Sequence, residues 1–199
     1  MNISFCNPIS FQKKLIAQGG YIQNNESKPC LIYELECGKD RNYMNEVSNS
    51  LAWKKATYSE NVDYYLSPRF VNYQDTSKIF AIEDCENNCL AFAMLDKFDD
   101  AYETSMIEVV PNASSNNKRR TKKYIGETFL NFLAQYTLKE KMPIFNIVYP
   151  TKGAYSFYVN KCHFVPLNSL NKLMMDKDSA EKLNIQNELH TGKNIEFLA

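Results

Sequence analysis

The residues best suited to chemistry lie in one short basic stretch in the second half of the chain. Positions 118–123 carry five cations in six residues, and Tyr124, Ile125 and Gly126 follow at once, where a helix is predicted to begin. The first turn of a helix has backbone N–H groups without partners and a partial positive charge, so it suits an anion such as a phosphate. A glycine there lets a ligand approach the main chain closely.

The elements that position this stretch are a strand, a loop and a helix. Residues 106–110 predict a strand, which Pro111 ends, and 112–117 contain no apolar residue and predict a loop. The helix is the clearest in the sequence, because its apolar residues recur on one helical face. Those residues are Ile125, Phe129, Phe132, Leu133 and Tyr136.

Two other interpretations of the basic cluster stay open at this point. The first is a solvated basic loop, which is the usual role of a charge run. The second is a nucleic-acid or nuclear-import patch, although no aromatic residues are interleaved within the cluster for stacking on bases. Lys plus Arg and Asp plus Glu both total 23, so the chain has no net charge, which argues against a surface that serves a polyanion throughout.

Around this segment the pattern predicts a mixed α/β sheet. The first thirty residues are polar, contain Gly19-Gly20 and predict a loosely held arm. The periodicity predicts strands over 31–35, 78–82, 89–95, 106–110, 144–149, 164–165 and 172–176, with turn residues at 84–88 making a hairpin of the second and third. It predicts helices over 42–58, 62–66, about 125–136, about 154–158 and 179–189.

Neither cysteine nor histidine usage predicts a metal site or a disulfide framework. The six cysteines show no spacing of a small secreted domain, and a bridge between Cys85 and Cys89 is disfavoured. His163 and His190 stand at no ligand spacing from a cysteine pair. The longest apolar runs are far short of the roughly 20 residues that cross a bilayer, and no signal peptide is visible. We therefore expect a cytoplasmic protein without a membrane partner.

From residue 106 to residue 164 the sequence resembles the GNAT superfamily of acyl-CoA N-acyltransferases. Three features match in order. The first is a strand that ends with Val-x-Pro, here Val109-Val110-Pro111. The second is a pyrophosphate loop of the form R/Q-x-x-G-x-G/A before a helix, and the third is a helix with the pattern A-x-x-F-Y. This last motif lies at 154–158, and His163-Phe164 stands where the family has Gly-Phe.

The pyrophosphate loop fits the sequence in two registers. The preferred register starts at Lys123 and places Gly126 at the first glycine and Thr128 at the second. The other register places Tyr124 at the first glycine and Gly126 at the second. In either register one glycine is missing, which favours the alternative of a GNAT-like module that has lost catalysis and serves binding or regulation.

The resemblance implies an α/β (α+β) fold with a GNAT-like mixed central sheet, in which three antiparallel strands precede a helix, a strand, a helix and a strand. Residues 58–168 are then the acyl-CoA-binding core, 1–57 complete the acceptor side, and 169–199 form a C-terminal tail. The implied activity is transfer of an acetyl group from acetyl-CoA to a primary amine in a ternary complex, without a metal. The implied acceptor is a small molecule, a protein lysine or an N-terminus, and the chain is a monomer or homodimer; a nucleic-acid partner is disfavoured.

The resemblance also implies roles for individual residues. Tyr158 is the acid that protonates the departing thiolate, and Glu108 is the carboxylate placed to serve as base. The backbone of Val109 and Val110 pairs with the pantetheine arm. The remaining residues implied in cofactor binding are Lys123, Tyr124, Ile125, Gly126, Glu127 and Thr128 for the pyrophosphate, Arg119, Arg120 and Lys122 for the 3′-phosphate, and Thr151 where the family has Asn.

Overall fold

A computed structural model describes the chain at residues 13–36, 40–50, 77–109, 121–167 and 171–198. The strands are β1 Lys14–Gln23, β2 Glu26–Leu35, β3 Ser77–Glu83, β4 Cys89–Lys97, β5 Ala101–Val109, β6 Lys122–Lys123, β7 Ile144–Val148, β8 Val165–Leu167, β9 Lys172–Met175 and β10 Glu196–Phe197. The helices are α1 Arg41–Asn49, α2 Ile125–Lys139, α3 Lys152–Cys162 and α4 Lys177–Thr191.

The strands form one mixed sheet in the order β10-β1-β2-β3-β4-β5-β7-β9-β8, and β6 pairs with β1 beside this path. Strands β3, β4 and β5 are antiparallel, whereas β5 and β7 are parallel, with α2 as the crossover between them. A parallel connection needs such a crossover because its two strands run in the same direction. The α/β fold class and the order of strands and helices after the antiparallel strands are confirmed.

Each face of the sheet buries its own apolar cluster. Helix α2 contributes Phe129 and Phe132 to the larger cluster, and both residues are fully buried. Helix α1 contributes Tyr43, Met44 and Val47 to the smaller cluster on the other face. Along each strand alternate residues therefore face α2 and α1, as the two-residue period of a strand requires.

The irregular arm predicted over the first thirty residues is wrong from residue 13 onward, and residues 1–12 lie outside the described residues. Strands β1 and β2, each ten residues long, form an antiparallel hairpin, and its turn consists of Asn24 and Asn25. Both asparagines have positive φ, 54° and 66°. This is the conformation that a two-residue hairpin turn requires, and asparagine tolerates it better than most residues.

Gly19 and Gly20 lie within β1 because another part of the chain approaches it closely. A Cβ atom on Gly19 would lie 2.9 Å from Cδ1 of Ile195, and one on Gly20 would lie 2.8 Å from Cβ of Lys193. The two glycines therefore make room for the segment that leads into β10. A Gly-Gly pair usually suggests a break in a strand, but β1 continues through these two residues.

Most other predicted elements are confirmed with shifted ends. The predicted hairpin is β3 and β4, the main helix extends to Lys139, and β5 begins at Ala101, five residues before the predicted start. The helix predicted over 42–58 is confirmed as α1 as far as Asn49; Ser50 has an extended backbone, and 51–58 lie outside the described residues. The helix at 62–66 and the loop at 112–117 also lie outside them.

In the described ranges the cysteines at 30, 85, 89 and 162 are all free thiols, so Cys85 and Cys89 are not bridged. The same residues contain no group of three His, Cys, Asp or Glu side chains arranged to hold a metal ion. No described helix is long and apolar enough to cross a membrane.

Candidate active site

The central feature of the site is the last part of β5, which extends past the residues paired with β7; the space beside it on the β7 side is called the gap. Strand β5 pairs with β7 only from Ala101 to Thr104, opposite residues 144–147. Beyond Thr104, β5 continues to Val109 and remains paired with β4 on its other side. Among the described strands, none pairs with this last part of β5 on the β7 side. Within the described residues, its main-chain donors and acceptors on that side pair with no other strand, and an extended ligand can add to such an edge as a further strand.

The first turn of α2 lies beside the end of β5. Tyr124 precedes the helix and provides no side-chain cap, and the first intrahelical bond runs from the Thr128 N–H to the Tyr124 carbonyl over 2.8 Å. In the part of the chain that the structure describes, no side chain accepts from the amides of Gly126 and Glu127, which precede that bond. Uncapped amides and the positive end of the helix dipole together suit an anion.

Gly126 is the point where three elements meet. A Cβ atom on Gly126 would lie 3.6 Å from Cγ2 of Val109 at the end of β5 and 3.6 Å from Cζ of Phe157 on α3. Val109 and Phe157, which flank Gly126, are each 36% exposed and form a small apolar cluster at the surface. Such a cluster is typical of a ligand-binding surface. Phe157 was not among the predicted site residues.

The backbone at Tyr124 bears on the register of the pyrophosphate loop. Tyr124 has a φ of 66°, in the left-handed region that glycine enters freely and other residues enter at a cost of roughly 1 kcal/mol. The second register places the first glycine of the family motif at this position. The conformation therefore favours the second register over the preferred one.

The buried side chain of Glu127 belongs to a part-buried polar network with α4. Its carboxylate lies 2.8 Å from Nδ1 of His190 and accepts a hydrogen bond of 2.9 Å from Nε2 of Gln186. Gln186 also bonds Nε2 of His163 at 3.0 Å, and the ring of His190 stacks on Tyr124 at 4.5 Å. Side chains of α4 thus contact both the turn before α2 and its first turn. Both histidines of the chain belong to this hydrogen-bond network.

Thr128 is likewise occupied. Its amide donates to the Tyr124 carbonyl, and its hydroxyl donates to the Gly20 carbonyl at 2.7 Å and accepts from Nδ2 of Asn187 at 2.9 Å. Ile125 is buried in the core. Of the predicted loop residues, Thr128 therefore has an occupied amide, whereas the amides of Gly126 and Glu127 have no side-chain acceptor among the described residues.

The two lysines before the turn are tied to the sheet. Lys122 and Lys123 form β6, which pairs with Ile22 and Gln23 of β1. The ammonium of Lys122 lies 2.8 Å from Oδ2 of Asp84. Lys123 reaches Oδ1 of Asn25 at 3.5 Å and is exposed. The geometry does not bring Lys122 to the gap; it brings Lys122 to the β3–β4 turn.

Asp84 holds that turn through four donors. Its carboxylate accepts from the backbone amides of Glu86 and Asn88, from the Asn88 side chain and from Lys122. Burial alone would raise the pKa of Asp84, but the hydrogen bonds from Lys122 and Asn88 outweigh it and lower the pKa below its usual 3.8. Asp84 therefore stabilises the fold above pH 3.8, and this contribution is lost as the pH falls through the lowered pKa.

We expect Asp84→Asn to lower the free energy of unfolding by about 2 kcal/mol at pH 7, the order of a buried hydrogen bond to a charged group. At acidic pH, as the native carboxyl becomes protonated on passing below the lowered pKa, the difference should shrink. Urea unfolding at both pH values measures it. The control is Glu26→Gln, because the exposed pair of Glu26 with Lys28 should contribute little. An equal loss for Asp84→Asn at both pH values would contradict the assignment.

Helix α3 carries the predicted acid. Tyr158 is partly buried and packs its ring against Phe157 and Phe164 at 5.7 and 5.9 Å. Thr151 is the N-cap residue of the helix and is exposed. His163 follows the helix with a φ of 61°, the left-handed conformation that the family supplies with glycine at this point. The helix therefore ends as a glycine-terminated helix would, although histidine occupies the position.

Positions 108 and 109 lie at the end of β5 on opposite faces of the sheet. Glu108 is opposite Phe92 and Val109 is opposite Ala91, so position 109 shares the α2 face and position 108 the α1 face. Val110, Arg119 and Arg120 lie outside the described residues. Their predicted roles stay predictions.

In sequence, the chain matches no protein-family model and no curated protein. In structure it is similar to spermidine N-acetyltransferases from Vibrio cholerae. A chimera of that enzyme, SpeG, with hSSAT is 13% identical, with 76% of this chain and 98% of that chain covered and a TM-score of 0.49. The same enzyme with CoA and spermine is 14% identical, with 76% and 98% covered and a TM-score of 0.48. Its dodecameric structure in an intermediate state is 13% identical, with 78% and 97% covered and a TM-score of 0.48.

Proposed function

We propose that this chain is an N-acetyltransferase that transfers an acetyl group from acetyl-CoA directly to a primary amine. The observation that carries the proposal is the gap between β5 and β7 with the uncapped first turn of α2 at its mouth. An extended strand edge beside a cationic helix end suits a ligand with a chain-like amide arm attached to a diphosphate. Acetyl-CoA has that form.

The diphosphate is the part of acetyl-CoA that α2 would hold. The amides of Gly126 and Glu127 are its donors, and each hydrogen bond to a charged group contributes about 1.5–3 kcal/mol. Gly126 leaves the phosphate room beside Val109 and Phe157. Arg119 and Arg120 remain proposed partners of the 3′-phosphate. Lys122 is a weaker candidate than they are, because Asp84 already pairs with it.

The pantetheine arm would lie along the open edge of β5. The backbone at Val109 and Val110 is proposed to pair with its amides, which places the thioester in the gap between the strands. The end of β5 thereby separates the two substrates. The cofactor lies on the α2 side, and the amine approaches from the α1 side, where position 108 is found.

The reaction needs one base and one acid. A lysine-like amine has a pKa near 10.4, so only about one in 2,500 molecules is neutral at pH 7. Glu108, directly or through water, is proposed to take the ammonium proton. The amine nitrogen then bonds to the thioester carbonyl carbon, the carbon–sulfur bond breaks, and Tyr158 donates its hydroxyl proton to the thiolate. The second proton leaves the nitrogen as the amide forms and returns, through water, to the Tyr158 oxygen. An amide and free CoA result.

Isothermal titration of the full chain with acetyl-CoA tests the proposal, and we expect a dissociation constant in the micromolar range. Incubation with acetyl-CoA and a mixed panel of primary amines should release free thiol, measured with a thiol reagent. Absence of heat up to millimolar acetyl-CoA would refute the proposal. Binding without thiol release for any amine would favour the alternative of a CoA-binding module without catalysis.

A further inference from the structure

The α1 face of the sheet contains a cage around one ammonium group. Nζ of Lys13 lies 2.5 Å from Oε2 of Glu83, 4.4 Å from the ring centre of Tyr33 and 4.7 Å from the ring centre of Tyr43. Tyr33 belongs to β2, Glu83 ends β3 and Tyr43 belongs to α1. Three separate elements of the fold therefore converge on a single positive charge.

The chemistry of this cage selects a cation. The Glu83 side chain is 0% exposed, and a buried carboxylate without a positive partner is strongly disfavoured. The two rings add cation–π attraction, and this combination is the usual one for recognising alkylammonium groups. Burial, followed by the charge of Glu83, raises the pKa of Tyr33 to about 12, so its phenol stays neutral at physiological pH. Of the three cage residues Tyr33, Tyr43 and Glu83, the one that supplies a negative charge is Glu83.

The cage lies on the side of the sheet from which the acceptor would come. The four neighbouring strands β2, β3, β4 and β5 each contribute one position to a row across the α1 face. These positions are Tyr33, Ala81, Phe92 and Glu108. Glu83 is two residues beyond Ala81, towards the same end of the sheet as the end of β5. Strand spacings of about 4.8 Å and a rise of about 3.4 Å per residue place the Cα atoms of Glu83 and Glu108 about 12 Å apart.

Lys13 can leave this cage at little cost to the sheet. The register of β1 with β2 begins at Lys14, so withdrawal of Lys13 breaks none of the sheet pairs in the described residues. Residues at the start of a strand open more readily than those in its centre. An incoming ammonium would restore the charge balance with Glu83, while the released lysine side chain becomes hydrated.

We propose that Tyr33, Tyr43 and Glu83 form a binding site for an alkylammonium group of the acceptor, and that Lys13 fills this site until the acceptor displaces it. The acceptor in this proposal carries a fixed ammonium besides the amine that reacts. The binding of an alkylammonium group does not depend on the proposed transferase function; the statement that this group belongs to the acceptor does. Lys13 then acts as an internal competitor of the acceptor.

Binding of n-butylammonium, which copies the end of a lysine side chain, tests the site without acetyl-CoA. In Lys13→Ala the cage is vacated, and we expect n-butylammonium to raise the melting temperature and to bind at least tenfold more tightly than to the unmodified chain. 1-Butanol, which fills the same space without charge, should do neither. Lys28→Ala removes a lysine from the exposed pair with Glu26 and is the control, with binding unchanged from the unmodified chain.

A double variant covers the case in which Lys13→Ala leaves Glu83 unpaired and fails to fold. Lys13→Ala with Glu83→Gln removes both charges, so it should fold and show no preference for n-butylammonium over 1-butanol. If Lys13→Ala is unfolded alone but is refolded by n-butylammonium and not by 1-butanol, the site is supported. Equal effects of the two compounds, or no effect of either, would overturn it.

Steady-state kinetics test whether the site serves the acceptor. For 1,6-diaminohexane the KM of Lys13→Ala should be at least fivefold lower than that of the unmodified chain, with kcat unchanged, whereas for n-hexylamine the two KM values should agree. Equal KM values for the diamine would overturn the role in acceptor binding. Failure of n-butylammonium to bind while acetyl-CoA binds would overturn the cage alone; binding of n-butylammonium without acetyl-CoA binding would overturn the proposed transferase alone.

Discussion

Replacement of Gly126 by glutamate is expected to weaken acetyl-CoA binding more than 100-fold, which corresponds to about 2.7 kcal/mol. The new side chain would start 3.6 Å from both Val109 and Phe157, in the space proposed for the diphosphate. Its carboxylate would repel the phosphates and would itself accept from the open amides of the turn. An acidic residue in the first turn of a helix is favourable for folding, so the fold should persist.

Two variants separate charge from space in this experiment. Gly126→Ala adds only a methyl group at ordinary contact distance and should weaken binding by less than tenfold. Gly153→Glu adds the same charge to the first turn of α3, where a Cβ atom would meet nothing within 4 Å, and is the matched control. Titration calorimetry measures all three. Unchanged affinity in Gly126→Glu would exclude a diphosphate at the start of α2.

The second large effect is expected for Tyr158→Phe, which removes one hydroxyl and keeps the ring packed against Phe164. If Tyr158 protonates the departing thiolate, kcat should fall by about 100-fold or more, as for loss of a general acid. The affinity for acetyl-CoA and the melting temperature should stay close to those of the unmodified chain. The measurement is thiol release at saturating substrates, together with calorimetric titration of acetyl-CoA.

The control for this variant is on the same helix. Tyr155 is 40% exposed and has no proposed role, so Tyr155→Phe should retain full activity. An unchanged kcat in Tyr158→Phe would remove the tyrosine from the mechanism. If the unmodified chain also released no thiol, the interpretation as a CoA-binding module without catalysis would stand.

Much of the central fold could be predicted because local pattern and tertiary packing agree there. Helix α2 has its apolar residues on one face, and that face is the one buried against the sheet, with Phe132 completely enclosed. In the β3–β4 hairpin the turn residues 84–88 lie between two apolar runs, and Asp84 accepts the hydrogen bonds that hold the turn. At such places the local preference of the sequence and the global fold coincide.

The N-terminal hairpin could not be predicted because its signals point elsewhere when read locally. Gly19-Gly20 usually marks a break, yet these glycines make space for Lys193 and Ile195, which are some 170 residues away in sequence. The turn signal was present in Asn24-Asn25, but neither residue is glycine, so it is weaker than Asn-Gly. Contacts of such long range are absent from any local pattern.

For the site, the pattern located the start of α2 but not the partners of its side chains. Gly126 and the uncapped turn are where the sequence predicts them. The binding of Lys122 by Asp84, and of Glu127 by His190, depends on which elements the fold brings together. Charge and spacing alone favoured a phosphate for Lys122, and the fold uses it in an internal ion pair.

The way the sheet ends at its two sides has a consequence for how the molecule behaves in concentrated solution. The outer side of β1 is covered by β10 at Ala17 and Gln18 and by β6 at Ile22 and Gln23. At the opposite side the last strand is only three residues long and contains Pro166, which has no N–H to donate. Among the described strands neither margin offers a long open template, which disfavours polymerisation of this broad sheet with its own copies.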